Sequence, residues 1–240
     1  MNYRDLLYRK YVSTHTRNLY GNLRLDDIVR QFSDWDWYFR KFLPRQNDAQ
    51  ILDIGCGFGG FVYFLQQNGY LNAQGIDVSE EQIALGKQMG IGNIDQGDIF
   101  EFLSDKEEVF DIIFARDVIE HFSRDEVIEL LLSVYKSLKF SGTFVIQTPN
   151  GESPFSGKII YGDFTHQTTF TRASLNQVLS LAGFKKTRYY PTGPVPKGLK
   201  SVVRLSLWKI IESLLKLLMA IETGSFSGIF TQNVIGKGEK

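Results

Sequence analysis

The chain has 240 residues and equal numbers of basic and acidic side chains, 27 of each, so its formal charge is zero. That removes any bulk electrostatic case for nucleic acid, and a balance of 43% hydrophobic to 22% charged residues excludes a disordered or fibrous class. The single cysteine, Cys56, excludes an intrachain disulfide or a cysteine-cluster metal site and points to a reducing compartment.

In chain order, short apolar runs alternate with turns and amphipathic stretches, the pattern of a parallel α/β sheet. "MNYRDLLYRKYVSTH" carries no apolar run of the kind a secretory leader needs. No stretch is apolar for the roughly 18 residues that a spanning helix requires. The expected location is therefore cytoplasmic, at most peripheral to the inner face of a membrane. Residues 1–48 read as a helical lead, with Tyr3, Tyr8, Tyr11, His15 and Tyr20 among basic residues. "AQILDIG" (49–55) is a buried strand, followed by the helix "GGFVYFLQQNG" that Gly69 closes. "AQGIDVS" (73–79) is a second strand, and Ser79 with Gln82 forms a capping box for "EEQIALGKQMG". "IGNIDQGDI" holds a short third strand and "EVFDIIFA" (108–115) is the fourth. Ser123 and Glu126 cap "RDEVIELLLSVYKSL", and "GTFVIQTPN" (142–150) is a fifth strand. A polar, glycine-rich loop leads to a helix opened by Thr171 and stopped at Gly183; "FKKTRYYP" is a sixth strand. A long apolar helix spans 199–222, and "GIFTQNVIGKG" is the last strand.

The first strand runs into "DIGCGFGG", which places Asp53, Gly55, Gly57, Gly59 and Gly60 at a strand-to-helix turn. Glycines there let a ligand approach the backbone, and the helix N-terminus offers free N–H groups. Dinucleotides and S-adenosylmethionine both use this device. Asp77 ends the second strand 20 residues after Gly57, where a carboxylate accepts from both ribose hydroxyls. Asp98 ends the third strand, placed for an adenine amino group or as the cap of the next turn. Cys56 reads as a small packed residue, and Phe58 as core or cofactor contact.

Together "ILDIGCGFGG", "GIDVS", "GDI", "FDIIFARDVIEHF" and "SGTFVIQTPN" resemble the ordered motifs of class I S-adenosylmethionine-dependent methyltransferases, over about residues 49–190. The resemblance implies an α/β, Rossmann-like fold: a seven-stranded, mostly parallel sheet with an antiparallel last strand and helices on both faces. It implies S-adenosyl-L-methionine as cofactor, with Gly55 and Gly57 beside the methionine part, Asp77 at the ribose and Asp98 at the adenine. The full expected cofactor set is Asp53, Gly55, Cys56, Gly57, Phe58, Gly59, Asp77, Val78, Asp98, Ile99 and Arg116. Residues 1–240 then form a single methyltransferase domain. Within it, 1–48 is a lid in which Tyr8, Tyr11 and His15 touch ligand or pack on the sheet. Residues 49–150 are the cofactor-binding core, and 151–240 supply the acceptor loop, the C-terminal strands and the long helix.

"FARDVIEHFS" sets Asp117, Glu120 and His121 at the exit of the fourth strand, the edge where open α/β sheets bind ligands. If 117–121 turns helically, positions i, i+3 and i+4 share a face. His166, in "GDFTHQTTFTRASL", follows the fifth strand and falls on the same rim. Three readings stand open. Asp117 and Glu120 cap a short turn over a packed His121; or His166 or His121 is a general base for an acceptor hydroxyl, with Asp117 in support; or Asp117, Glu120, His121 and His166 hold a divalent metal. The last pattern resembles the Glu-x-x-Glu-His…His ligand set of small-RNA 3′-terminal 2′-O-methyltransferases and a related set in ubiquinone-pathway O-methyltransferases. Asp stands here for the first Glu. Mixed oxygen and nitrogen donors suit Mn, Fe, Co or Zn, and Mg less.

The helix 199–222 is apolar over too wide an arc for an exposed helix, and its Lys209, Glu212, Lys216 and Glu222 forbid a membrane span. It is expected to cover a sheet edge, to form a homodimer seam, or to lie on a membrane surface with Lys197, Lys200, Arg204 and Lys209 near headgroups. "FTQN" and "YVSTH" resemble methyltransferases of bacterial surface-polysaccharide clusters. The expected activity is O-methylation of a hydroxyl on a sugar or glycan. The alternatives are a phenolic or quinone acceptor, or a regulatory domain that binds S-adenosylmethionine without catalysis. The expected partners are a small-molecule or glycan acceptor, and no nucleic acid.

Overall fold

The computed structural model describes residues 3–16 and 23–240; Tyr20 and the side chain of His15 lie outside the described residues. Seven strands form one sheet: β1 (Ile51–Ile54), β2 (Ala73–Asp77), β3 (Ile94–Gln96), β4 (Phe110–Arg116), β5 (Leu138–Pro149), β6 (Lys185–Pro191) and β7 (Asn233–Glu239). Their order is β3-β2-β1-β4-β5-β7-β6. β1 to β5 run parallel, and β7 lies between β5 and β6, antiparallel to both. This is the expected Rossmann-like sheet with its antiparallel last strand.

Every residue of β1 is buried, as parallel strands are when helices cover both faces. Side chains alternate across the sheet. Leu52, Ile113 and Phe144 pack on one side with Leu130, Val134 and Leu175. Ile51, Phe114 and Val145 pack on the other with Phe39, Phe61 and Phe64. The covering helices are α1 (Tyr3–Arg9), α2 (Leu25–Val29), α3 (Phe32–Phe39), α4 (Gly60–Gln67), α5 (Glu80–Gln88), α6 (Ile99–Leu103), α7 (Arg124–Ser137), α8 (Gly157–Ile160), α9 (Arg172–Leu181) and α10 (Leu199–Thr223). The capping box of α7 forms in full: Ser123 N donates to Glu126 Oε2 at 2.7 Å and Glu126 N to Ser123 Oγ at 3.4 Å.

Several boundaries differ from expectation. β5 begins at Leu138 rather than 142, because the chain turns at Ser141 (φ 63) without leaving the sheet. β7 begins at Asn233 rather than 228. The carbonyls of Ile229 and Thr231 are taken by Asn150 Nδ2, at 2.6 and 2.9 Å, instead of by a neighbouring strand. α6 and α8 were not anticipated; α6 is too short to show a period and is started by Asp98. α10 matches the expected 199–222 but does not bury its apolar residues on a sheet edge: Glu212 is its one buried side chain. No helix among the described residues is long and apolar enough to cross a membrane.

Candidate active site

The carboxyl ends of β1, β2 and β4 open on one cavity of about 730 Å³, within the usual range for small-molecule sites. Gly55 sits at φ +64, and a Cβ there would meet Val118 Cγ2 at 2.1 Å, so only glycine turns the chain this close to the exit of β4. Gly57 N donates to Asp77 Oδ2 and Ser79 N to Asp77 Oδ1, both at 2.8 Å. Asp77 thus ties the glycine turn to the end of β2, while each carboxylate oxygen keeps a further lone pair. Burial pushes its carboxyl above the usual range, and the two backbone donors work against that. Asp98 Oδ1 accepts from Phe100 N at 2.8 Å and Glu101 N at 3.2 Å, so the capping role is realised, and the residue also faces the cavity.

Of the expected cofactor set, Gly55, Gly57, Phe58, Asp77, Val78, Asp98 and Ile99 line the cavity. Asp53, Cys56, Gly59 and Arg116 stand behind its wall instead. Asp53 is wholly buried and pairs with Arg116 Nη2 at 3.4 Å. The Arg116 guanidinium lies over the Phe61 ring, 4.1 Å from its centroid. Cys56 is buried, its amide spent on Ile76 O at 3.1 Å, and burial holds its thiol well above the ordinary range. Gly59 opens α4 at φ +81 against Ile91 and Ile94.

The acidic-histidine stretch does not turn as an α-helix. Asp117 adopts φ 54, and only Ile119–His121 form a 3-10 turn. Asp117 is drawn toward β5: its Oδ2 accepts from Gln147 Nε2 at 2.6 Å and its N–H donates to Gln147 O at 2.9 Å. The predicted shared face of Asp117, Glu120 and His121 is therefore not formed. Glu120, His121 and His166 do converge, each offering one ligand atom, all within 4.8 Å of one another.

Glu120 is almost completely buried. Its Oε2 accepts from Thr148 Oγ1 at 3.0 Å, while Oε1 has no hydrogen-bond partner and lies 3.9 Å from His166 Nε2. Burial, and then the nearby charge of Asp117, push its carboxyl well above the ordinary range. His166 Nδ1 lies 2.9 Å from Ile160 O. A carbonyl only accepts, so Nδ1 carries a proton, and in the neutral ring Nε2 is the nitrogen that holds the lone pair. His121 Nδ1 lies 2.7 Å from Thr165 Oγ1, and Thr165 gives its own proton to Asp163 Oδ1 at 2.6 Å. His121 therefore also donates through Nδ1 and keeps Nε2 free of a proton. Burial, and then His166, lower its pKa to about 4, so it is neutral near pH 7.

The N-terminal segment closes one side of the cavity. Arg4 Nη1 pairs with Glu126 Oε1 at 2.7 Å, and Tyr8 O accepts from Ser79 Oγ at 3.0 Å. Tyr11 OH donates to Asp163 Oδ2 at 2.6 Å. Tyr8 and Tyr11 both line the cavity. Burial pushes the Tyr8 phenol up to about 12, so it stays a neutral donor.

Sequence reasoning missed Asp163 and Thr165, which orient His121, as well as Thr148, Gln147, Gln232 and Asn233. The "GDFTH" spacing, an acid followed two residues on by a hydroxyl and then by His166, is the local turn pattern that would have flagged the first two. The others come from distant strands that only the sheet order brings near.

A family model described as a methyltransferase domain matches residues 24–189. The phosphoethanolamine N-methyltransferase of Plasmodium falciparum is 31% identical over 110 residues, 43% of this chain and 40% of that protein. The ubiquinone biosynthesis O-methyltransferase of Bartonella quintana is 32% identical over 112 residues, 45% of this chain and 44% of that one. The chain thus spans less than half the length of these curated relatives. A crystal structure of a SAM-dependent methyltransferase from Archaeoglobus fulgidus superposes with a TM-score of 0.67 at 22% identity, covering 94% of this chain and 98% of that one.

Proposed function

The chain belongs to the methyltransferase domain family whose model spans residues 24–189, and on that premise we propose that it transfers a methyl group from S-adenosyl-L-methionine to a hydroxyl oxygen of a sugar or glycan. The observation that carries this reading is that Glu120, His121 and His166 meet on the wall of the same cavity that Asp77 and the glycine turn line.

The cofactor fits the residues present. Gly55 and Gly57, both at positive φ, bring the backbone of the turn to the cavity, Asp77 keeps lone pairs for ribose hydroxyls, and the cap made by Asp98 uses Oδ1. When bound, S-adenosylmethionine supplies a methyl group already activated on a sulfonium. The chain must then hold the acceptor oxygen in line and exclude water, which Tyr8 and Tyr11 favour by closing one side.

An alcohol is a poor nucleophile near pH 7, and the cluster answers that need. A divalent ion fits it: Glu120 Oε1 is buried without a hydrogen-bond partner, and both imidazoles have Nδ1 committed to an oxygen, the arrangement that orients Nε2 toward a metal. Bound there, the ion would lower the pKa of the acceptor hydroxyl, and the donor set suits Mn, Fe, Co or Zn over Mg. His121, held near 4, is too weak a base for this work at neutral pH, which favours a ligand role for it. Without an ion, His166 is the residue left to accept the proton. Asp117, bonded to Gln147, shapes the turn that carries Glu120.

Lys158, Asp163, Gln232 and Asn233, which also line the cavity, supply donors and acceptors for a hydroxyl-rich acceptor. The relative in ubiquinone biosynthesis, with Val118, Phe122 and Ile159 among the residues that line the cavity, supports a second reading in which the acceptor is a phenol. The experiment is methyl-labelled S-adenosylmethionine offered with sugar and phenolic acceptors side by side, with mass spectrometry locating the added methyl. Label on a sugar oxygen supports the first reading, and label only on phenols replaces it with the second.

A further inference from the structure

We propose that α10 is a self-pairing surface: two copies of this chain join through an antiparallel coiled coil of their Leu199–Thr223 helices. One face of α10 meets its own fold, with Trp208 against Phe155, ring centroids 6.0 Å apart. On that side Glu212 is buried and held by Lys209 at 2.8 Å and Lys216 at 3.2 Å. Elsewhere on the helix, Val203, Leu207, Ile210, Leu214, Leu217 and Ile221 are between 48% and 75% exposed.

Their spacing alternates four and three residues along the whole run, the repeat of a coiled-coil seam. Ser206, Ser213 and Ala220 recur every seven residues beside it, and small side chains there let two helices approach closely. Ile211 and Leu218 are exposed as well, and steps of three and four residues mark any amphipathic helix, so the apolar arc alone would also serve a lipid surface. A lipid surface gives no reason for the heptad of small residues, and a second helix does.

The run is also self-complementary. With a two-fold axis at the level of Glu212, Val203 faces Ile221 of the other copy, Leu207 faces Leu217, and Ile210 faces Leu214, so every layer is apolar on apolar. This is the isologous geometry expected of a two-fold dimer. Charge sets the direction. Lys200 and Arg204 lie in the first two turns and Glu222 in the last, and Arg204 and Glu222 are about five turns apart, on one edge of the stripe. A parallel pair would set like charges together, whereas an antiparallel pair sets Arg204 beside Glu222 at both ends.

The test uses the full chain. Light scattering at micromolar concentration should give twice the chain mass. Leu214→Glu, at a position exposed in the single chain, should give one chain mass with unchanged circular dichroism and S-adenosylmethionine affinity. On oxidation Ser213→Cys should cross-link to itself, and Ser206→Cys should cross-link to Ala220→Cys but not to itself; Cys56 is buried and silent. Self-linking of Ser206→Cys would overturn the antiparallel register. A monomeric wild type would overturn the pairing, and if that monomer bound phosphatidylglycerol vesicles through Leu214, the face would be assigned to a lipid surface instead.

Discussion

Thr165 and His121 share a 2.7 Å hydrogen bond whose direction is set from outside the pair. The Thr165 hydroxyl has one proton and spends it on Asp163 Oδ1 at 2.6 Å, so His121 Nδ1 must donate and Nε2 must be the lone pair. The loop residues Asp163 and Thr165, just before His166, thereby fix the tautomer of a residue at the exit of β4. Thr165→Val keeps the shape and removes the acceptor. Turnover, or metal affinity, should fall about 10- to 100-fold, the usual loss when the partner that orients a histidine is removed. Affinity for S-adenosylmethionine should hold, because Thr165 touches none of the glycine turn. Equal losses in both would show a general loosening of the loop instead.

Asp77 is the residue on which cofactor binding should depend most. It accepts from Gly57 N and Ser79 N and faces the cavity. Two ribose hydroxyls donating to a carboxylate are worth about 1.5 kcal/mol each, so Asp77→Ala should weaken S-adenosylmethionine binding by roughly 100-fold or more. Calorimetry settles this, and an unchanged dissociation constant would remove Asp77 from the ribose site.

The metal reading predicts one divalent ion per chain after loading and desalting. Glu120→Gln and His166→Ala should each abolish it, and thermal stability of the wild type should rise on loading by mass action. Elemental analysis of wild type and variants checks this. A wild type without metal, and with chelator-insensitive turnover, leaves His166 as base.

Asp163 gives the pH dependence. Burial opposes its charge, but hydrogen bonds from Thr165 and Tyr11 prevail and lower its pKa from 3.8 to about 2. A carboxylate depressed in the folded state contributes stability that is fully present above its unfolded pKa and is lost as pH falls through the folded one. The contribution here is at most about 2 kcal/mol, and less after solvent screening. Asp163→Asn should therefore melt below the wild type at neutral pH, and the gap should close between about pH 4 and pH 2. A gap that persisted at the lower end would show that the loop is held by contacts other than this charge.

How much of this was readable in the sequence depends on distance along the chain. The glycine turn, Asp77 and the capping residues Ser79, Ser123 and Thr171 are local devices, and their spacing carries the geometry with it. The pairing of Asp53 with Arg116 was not readable: both lie near the ends of their strands beside the glycine turn, and they meet across 63 residues of sequence behind the cavity wall. The helical turn that would set Asp117, Glu120 and His121 on one face is broken at one backbone angle, φ 54 at Asp117, where the residue makes two hydrogen bonds to Gln147 on β5. The convergence of His121 with His166 was legible because parallel strands bring their carboxyl ends to one edge. The protons on the two rings were not, because Ile160 O and Thr165 reach them only through the folded loop.

In the proposed reaction Glu120, His121 and His166 activate an acceptor hydroxyl beside the cofactor. The most direct measurement is single-turnover transfer from methyl-labelled S-adenosylmethionine by wild type and His166→Ala, with cofactor affinity determined on the same preparations. Label should appear on oxygen, the transfer rate of the variant should fall about 100-fold or more, and the dissociation constant for S-adenosylmethionine should be unchanged. Label on nitrogen or carbon, or a variant that transfers as fast as wild type, would contradict that role.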